Sequence, residues 1–92
     1  MREKRLVVSF MGRVQGVGFR YTVCSLAGQY PVTGFVRNEW DGSVYMEVEG
    51  KEADVEDFLR LIHRSRLGSC ISNTDAHWSE STGRHRGFRI SY

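Results

Sequence analysis

Residues 12–20 read Gly-Arg-Val-Gln-Gly-Val-Gly-Phe-Arg, and they join an apolar run at 6–11 to a helical pattern. The three glycines of this stretch allow positive φ angles and a close approach by a ligand. Successive backbone N–H groups of such a loop, with the unpaired N–H groups of a helix start, can surround an anion. Arg20 adds a fixed charge and a planar set of donors that suits phosphate or carboxylate. The stretch therefore predicts a binding loop for a small oxyanion.

This loop differs from the common phosphate loops. A Walker loop requires Lys directly after its last glycine, and no glycine of residues 12–20 is followed by Lys. A dinucleotide loop that began at Gly16 would require a third glycine at position 21, where Tyr21 stands. Spacing alone leaves a simple glycine-rich connection as the alternative.

Composition indicates one domain over residues 1–92, since 92 residues with 40% hydrophobic content suffice for a single modest core. A net charge of +2 is too small to indicate a nucleic-acid partner. No apolar run approaches the length of a membrane span, and too few apolar residues follow the charged N-terminus for a signal peptide. We therefore expect a cytoplasmic protein. Cys24 and Cys70 are expected to be free thiols rather than a disulfide framework.

Hydrophobic periodicity predicts an alternation of strands and helices. Asp41-Gly42 is a hairpin signal, Gly50 is predicted to end the strand after it, and Gly68 is predicted to cap the second helix. The predicted elements are strands at 5–11, 32–38, 43–49 and 88–92, helices at 19–30 and 53–66, and a further strand of poorer pattern at 71–78, followed by a polar loop at 79–87.

The order β-α-β-β-α-β, with one extra strand, is typical of the α+β ferredoxin-like sandwich. In this fold an antiparallel sheet carries both helices on one face. Its first two strands run parallel with the third between them, so their carboxyl ends lie at the same edge. Asn38 ends the second strand, and topology therefore predicts that it lies close to the glycine loop.

The motifs at 12–20, Gly-Phe-Val-Arg-Asn at 34–38 and Asp-Gly-Ser-Val at 41–44 resemble those of the acylphosphatases, as does the closing Phe-Arg-Ile-Ser-Tyr. The resemblance covers nearly the whole chain and is weakest at 66–87. It implies hydrolysis of acyl phosphates to a carboxylate and inorganic phosphate, with Arg20 and Asn38 as catalytic residues and Asn38 orienting the attacking water. It also implies phosphate binding by Gln15, Gly16, Val17, Gly18, Phe19 and Arg20.

The chemistry of these residue types agrees with that reaction. Phosphoryl transfer depends on positioning and charge stabilisation, which loop amides and Arg20 can supply. A carboxamide such as Asn38 can hold a water in line. The leaving carboxylate has a conjugate acid of pKa about 4, so it departs without a proton and no general acid is required. We expect no cofactor and no metal, because the three histidines lack metal-ligand spacing with the cysteines. Neither cysteine starts the Cys-x5-Arg pattern of a cysteine phosphatase.

Two other functions share this fold. Such a domain can bind RNA on its sheet, and Arg86-Gly87-Phe88 is similar to part of an RNA-recognition motif, although that motif belongs on the third strand. A catalytically inactive anion sensor is the second alternative.

For the enzyme we expect a small acyl phosphate as substrate, inorganic phosphate as product and inhibitor, no nucleic-acid or membrane partner, and a monomer. Trp40 is interpreted either as part of the site or as an ordinary hairpin aromatic.

Overall fold

Strands and helices alternate along the chain much as the sequence predicts. A computed structural model describes residues 2–92. No helix within these residues combines the length and apolar character needed to cross a membrane. The elements are β1 (Glu3–Gly12), α1 (Phe19–Ala27), β2 (Thr33–Asn38), β3 (Val44–Lys51), α2 (Glu52–Arg64), a 3₁₀ turn (Arg66–Cys70), β4 (Ile71–Glu80) and β5 (Phe88–Ile90).

The five strands form one sheet in the order β4-β1-β3-β2-β5. Both β1 and β2 pair antiparallel with β3, so they run parallel to each other on its two sides. This confirms the ferredoxin-like α+β architecture. The sheet is mixed rather than wholly antiparallel, because the short β5 pairs parallel with β2 at one edge. The polar β4, predicted as a strand of poorer pattern, is antiparallel to β1 at the other edge and completes the β-α-β-β-α-β order, so β5 is the extra strand.

Both helices pack on the same face of the sheet. Alternate residues of each central strand are buried, as the period-two pattern requires. The apolar stripe of each helix closes the core over them. The buried residues of the helices are Phe19, Val23 and Ala27 of α1 and Val55, Phe58 and Ile62 of α2.

Several predicted element ends are wrong, among them that of the last strand, which ends at Ile90 and not at Tyr92. The first helix ends at Ala27, three residues before the predicted end, although the chain continues to turn up to Tyr30. Gly50 does not break the third strand but lies buried inside β3, where a Cβ would press against the Pro31 oxygen at 3.2 Å. Gly68 does not cap α2, which ends at Arg64; it lies in the 3₁₀ turn because a Cβ there would collide with the His63 carbonyl. These two glycines thus serve close packing rather than chain termination.

The buried carboxylate of Glu49 anchors the loop that leads into β5. Glu49 is 1% exposed, yet its two oxygens accept four hydrogen bonds of 2.8–3.0 Å. Burial alone would raise its pKa, but the donors from Ser81, Thr82 and Gly83 outweigh burial and lower the pKa to about 2. Since β5 forms one side of the pocket described below, this contact supports the site indirectly.

We expect Glu49→Gln to destabilise the protein at neutral pH, because an amide NH₂ would face donors instead of accepting from them. The folded-state pKa lies below the unfolded value, so this stabilisation is complete above about pH 4.5 and is lost as the pH falls toward 2. Its upper limit is about 3 kcal/mol, at 1.4 kcal/mol per pKa unit. Urea unfolding at pH 7 and pH 3 should show a larger difference between variant and wild type at pH 7 than at pH 3. The half-buried Glu56 on α2 gives the control, Glu56→Gln; an equal loss in both variants would contradict this role.

Candidate active site

The glycine loop presents unpaired backbone donors at the start of α1. Gly16 and Gly18 adopt left-handed conformations, with φ of 76° and 74°. The first hydrogen bond of α1 runs from the Thr22 amide to the Gly18 oxygen at 3.0 Å. Within residues 2–92, no backbone N–H from Gln15 to Tyr21 donates to a protein acceptor, and the first turn of α1 has no acidic residue. This arrangement suits an anion, which would meet both the amides and the positive end of the helix dipole.

Arg20 brings an uncompensated positive charge to this loop. It is half-buried in the first turn of α1, and no carboxylate of residues 2–92 forms an ion pair with it. Its guanidinium carbon lies 5.2 Å from the centre of the Tyr92 ring, a distance at which a cation interacts favourably with an aromatic face. An aromatic neighbour orients the guanidinium without neutralising it, so its donors stay available to a bound anion.

Asn38 opens onto the same cavity as Arg20. Asn38 is the last residue of β2, and the parallel arrangement of β1 and β2 puts it at the edge from which the glycine loop departs. Its side chain is exposed and makes no hydrogen bond within residues 2–92. The cavity has a volume of about 300 Å³ and is lined by Val14, Gly16, Gly18, Phe19, Arg20, Tyr21, Asn38, Ile90 and Tyr92. Topology thus brings the two predicted catalytic residues together, while their roles stay predictions.

The comparison with known proteins agrees with this geometry. The sequence model of the family described as Acylphosphatase matches residues 6–90. The chain belongs to the acylphosphatase family. It is 40% identical over 88 residues to the acylphosphatase of Salinibacter ruber and 42% identical over 86 residues to that of Paenarthrobacter aurescens, with at least 92% of each chain covered. The crystal structure of acylphosphatase from Bacillus subtilis matches with a TM-score of 0.83 at 35% identity, covering 100% of both chains.

Two residues of the predicted site, Gln15 and Val17, lie outside the cavity lining, and so does Trp40, whose interpretation the sequence left open. The Gln15 side chain points instead to the hairpin after β2, where it donates to two carbonyl oxygens. Val17 does not line the cavity and is 37% exposed. Trp40 is fully exposed at the hairpin tip and does not line the cavity either, which favours its interpretation as an ordinary hairpin aromatic.

Sequence reasoning missed two other contributors to the cavity and its loop. The C-terminal segment adds Ile90 and Tyr92 to the lining, because β5 pairs with β2 up to Val36, two residues before Asn38. Arg66, from the 3₁₀ turn, donates to the Val17 oxygen at 3.3 Å and to Thr22 Oγ1 at 2.9 Å, so it supports the loop from the side of α2. Neither contribution has a local signature. The alternating pattern of 88–92 indicates a strand but not its partner.

The one cysteine close to the acylphosphatase site has the electrostatics of a structural thiol. Cys24 lies one helical turn after Arg20 and is half-buried. Burial raises the pKa of the Cys24 thiol, and the nearby Arg20 charge lowers it by less. A protonated thiol is a poor nucleophile. This agrees with the sequence, in which the cysteine-phosphatase spacing is absent.

Proposed function

We propose that the chain hydrolyses the carboxyl–phosphate bond of acyl phosphates and releases a carboxylate and inorganic phosphate. The observation that carries this proposal is the meeting of unpaired loop amides, the unpaired Arg20 guanidinium and the Asn38 carboxamide around one cavity. The family to which the chain belongs supports the same reaction.

The loop and Arg20 hold the phosphate in this proposal. The amides of residues 16–20 and the Arg20 guanidinium donate to its non-bridging oxygens. Charge redistributes over these oxygens as the bond to the carboxylate lengthens, and fixed donors stabilise it without reorganisation. The backbone amides are the only donors that Gly16 and Gly18 can offer, and the left-handed conformations at these positions turn successive N–H groups toward one side.

Asn38 positions the attacking water in this proposal. A carboxamide offers both a donor and an acceptor, so it can orient a water along the line of the breaking bond. The water oxygen forms a bond to phosphorus while the phosphorus–oxygen bond to the acyl group breaks. The carboxylate leaves with the electron pair of that bond. The proton of the water passes to a phosphate oxygen, and the products are a carboxylate and inorganic phosphate.

Several further features belong to the proposal. Residues 1–92 act as one domain and as a monomer, without a metal, another cofactor, a nucleic-acid partner or a membrane partner. The site of action is the cytoplasm, where the free thiols Cys24 and Cys70 would remain reduced. The loop binds the phosphate group, which all acyl phosphates share, so selectivity among them depends on contacts with the acyl part of the substrate.

Turnover of acetyl phosphate in the presence of a chelator tests this proposal. We expect release of phosphate above the spontaneous rate without added metal, because Arg20 and the loop amides supply the positive field. Activity that disappears in chelator and returns only with a divalent ion would contradict the mechanism. An anion sensor would bind phosphate without turnover, and an RNA-binding protein would show neither property.

Inorganic phosphate should inhibit competitively, because product and substrate present the same group to the loop. The same binding should raise the melting temperature with phosphate concentration, since the unfolded chain has no such site. Steady-state kinetics at several phosphate concentrations, with chloride at matched ionic strength as the control, checks both statements. Inhibition that is purely non-competitive would place the anion elsewhere on the protein.

A further inference from the structure

The side chain of Gln15 links the glycine loop to the hairpin that carries Asn38. Its Nε2 donates to the Glu39 oxygen at 2.5 Å and to the Ser43 oxygen at 2.8 Å. Both partners are carbonyl oxygens, so only the amide NH₂ can face them, and this fixes the orientation of the carboxamide. An amide nitrogen has two protons, and both are used here. The Gln15 side chain therefore has no donor left for a phosphate oxygen.

The hairpin is closed by its own hydrogen bonds at the point where Gln15 binds it. The Glu39 amide donates to the Ser43 oxygen at 2.9 Å, and Asp41 Oδ1 accepts from both the amide and the hydroxyl of Ser43. Hydrogen bonds from Ser43 also lower the pKa of the Asp41 carboxyl. Asn38 directly precedes this closed turn, and a displacement of the turn would displace Asn38 with it.

The loop itself has supports that do not involve the hairpin. The Arg13 amide donates to the Cys70 oxygen at 2.9 Å, and Arg66 binds the Val17 oxygen and Thr22 Oγ1. Within residues 2–92, Gln15 is the only residue of the loop, 13–18, that makes a hydrogen bond to the hairpin, 39–43. Loss of Gln15 would thus remove the hydrogen bonds between loop and hairpin, while the loop keeps its other contacts and Asn38 keeps its pairing with Val44 in the sheet.

We propose that Gln15 is a positioning residue, which sets the distance between the phosphate held by the loop and the water held by Asn38. This inference rests on the proposed function. It removes the Gln15 side chain from the phosphate ligands that the family resemblance implies and leaves that residue only its backbone amide for the anion. Geometry between nucleophile and electrophile is a sensitive determinant of rate, and a displacement on the order of 1 Å can cost a hundredfold.

Gln15→Glu tests this assignment with almost no change in shape. A carboxylate would face two carbonyl oxygens and repel the hairpin. We expect kcat to fall by about tenfold or more, with the inhibition constant of inorganic phosphate changed by less than about threefold. Gln29→Glu, at an exposed position after α1, is the matched control and should keep wild-type kinetics. Arg66→Gln should give the opposite pattern, with weaker phosphate binding and a smaller loss in kcat.

A double-mutant cycle with Asn38→Ala separates positioning from a general structural effect. If Gln15 acts through Asn38, adding Gln15→Glu to Asn38→Ala should lower kcat by less than about threefold further. Gln15→Met removes the donors without adding charge and repeats the cycle should the carboxylate prevent folding; thermal melts report folding for every variant. Equal losses in both backgrounds, or phosphate affinity that falls in step with kcat, would overturn the positioning role. A wild-type protein without turnover would instead overturn the proposed function.

Discussion

Replacement of Arg20 by Gln should lower kcat and raise KM together, with a combined loss on the order of a hundredfold or more, as when one transition-state donor is removed. Arg20 is the guanidinium of the cavity, and no carboxylate within residues 2–92 neutralises it. It would contact the phosphate in the ground state as well as in the transition state, so both kinetic constants should change. Steady-state kinetics with phosphate inhibition measures each effect.

Two variants make the Arg20 result specific. Arg20→Lys keeps the charge but loses the planar fork, and it should recover only part of the activity. Arg13→Gln removes an exposed arginine of the same loop that does not line the cavity, and it should leave both constants near wild type. If Arg13→Gln costs as much as Arg20→Gln, net charge rather than the cavity determines the rate.

Asn38→Ala should lower kcat by a similar factor, on the order of a hundredfold or more, and leave phosphate affinity nearly unchanged. The reason is that Asn38 is proposed to bind the water and not the phosphate. Stability should change little, since the side chain is exposed and makes no hydrogen bond within residues 2–92. Kinetics, phosphate inhibition and thermal melts of the variant provide the measurement.

The exposed Asn73 on β4, which does not line the cavity, offers the control, Asn73→Ala. A folded Asn38→Ala protein with unchanged kcat would remove Asn38 from the mechanism. Asn38 would then be only the last residue of a strand before a hairpin turn.

Much of the cavity lining can be predicted from the sequence because its main parts are local. The glycine spacing and the helix start at Arg20 lie within one stretch, and the parallel strands β1 and β2 follow from the order of elements. Asn38 then reaches the loop by topology alone. The third strand is predicted equally well, because Val44, Met46 and Val48 alternate with polar residues and only one face of the sheet is covered by helices.

What the sequence does not reveal depends on contacts between distant residues. Gln15 and the Glu39 carbonyl are 24 residues apart, and Arg66 and Val17 are 49 apart. Backbone carbonyls carry no residue-specific pattern, so nothing in the sequence distinguishes a glutamine that binds them from one that binds a ligand. Glu49 looks like a solvent-facing strand residue until the loop at 81–84 folds over it. Gly50 and Gly68 resemble breakers because close packing and chain termination both favour glycine.

Hydrolysis of an acyl phosphate in ¹⁸O-labelled water tests the central claim most directly. A water held by Asn38 and aimed at the phosphate in the loop attacks phosphorus, so the label should appear in inorganic phosphate and not in the carboxylate. Mass spectrometry of both products, corrected for the spontaneous reaction, gives the answer. Label in the carboxylate would show attack at the acyl carbon and would contradict the account.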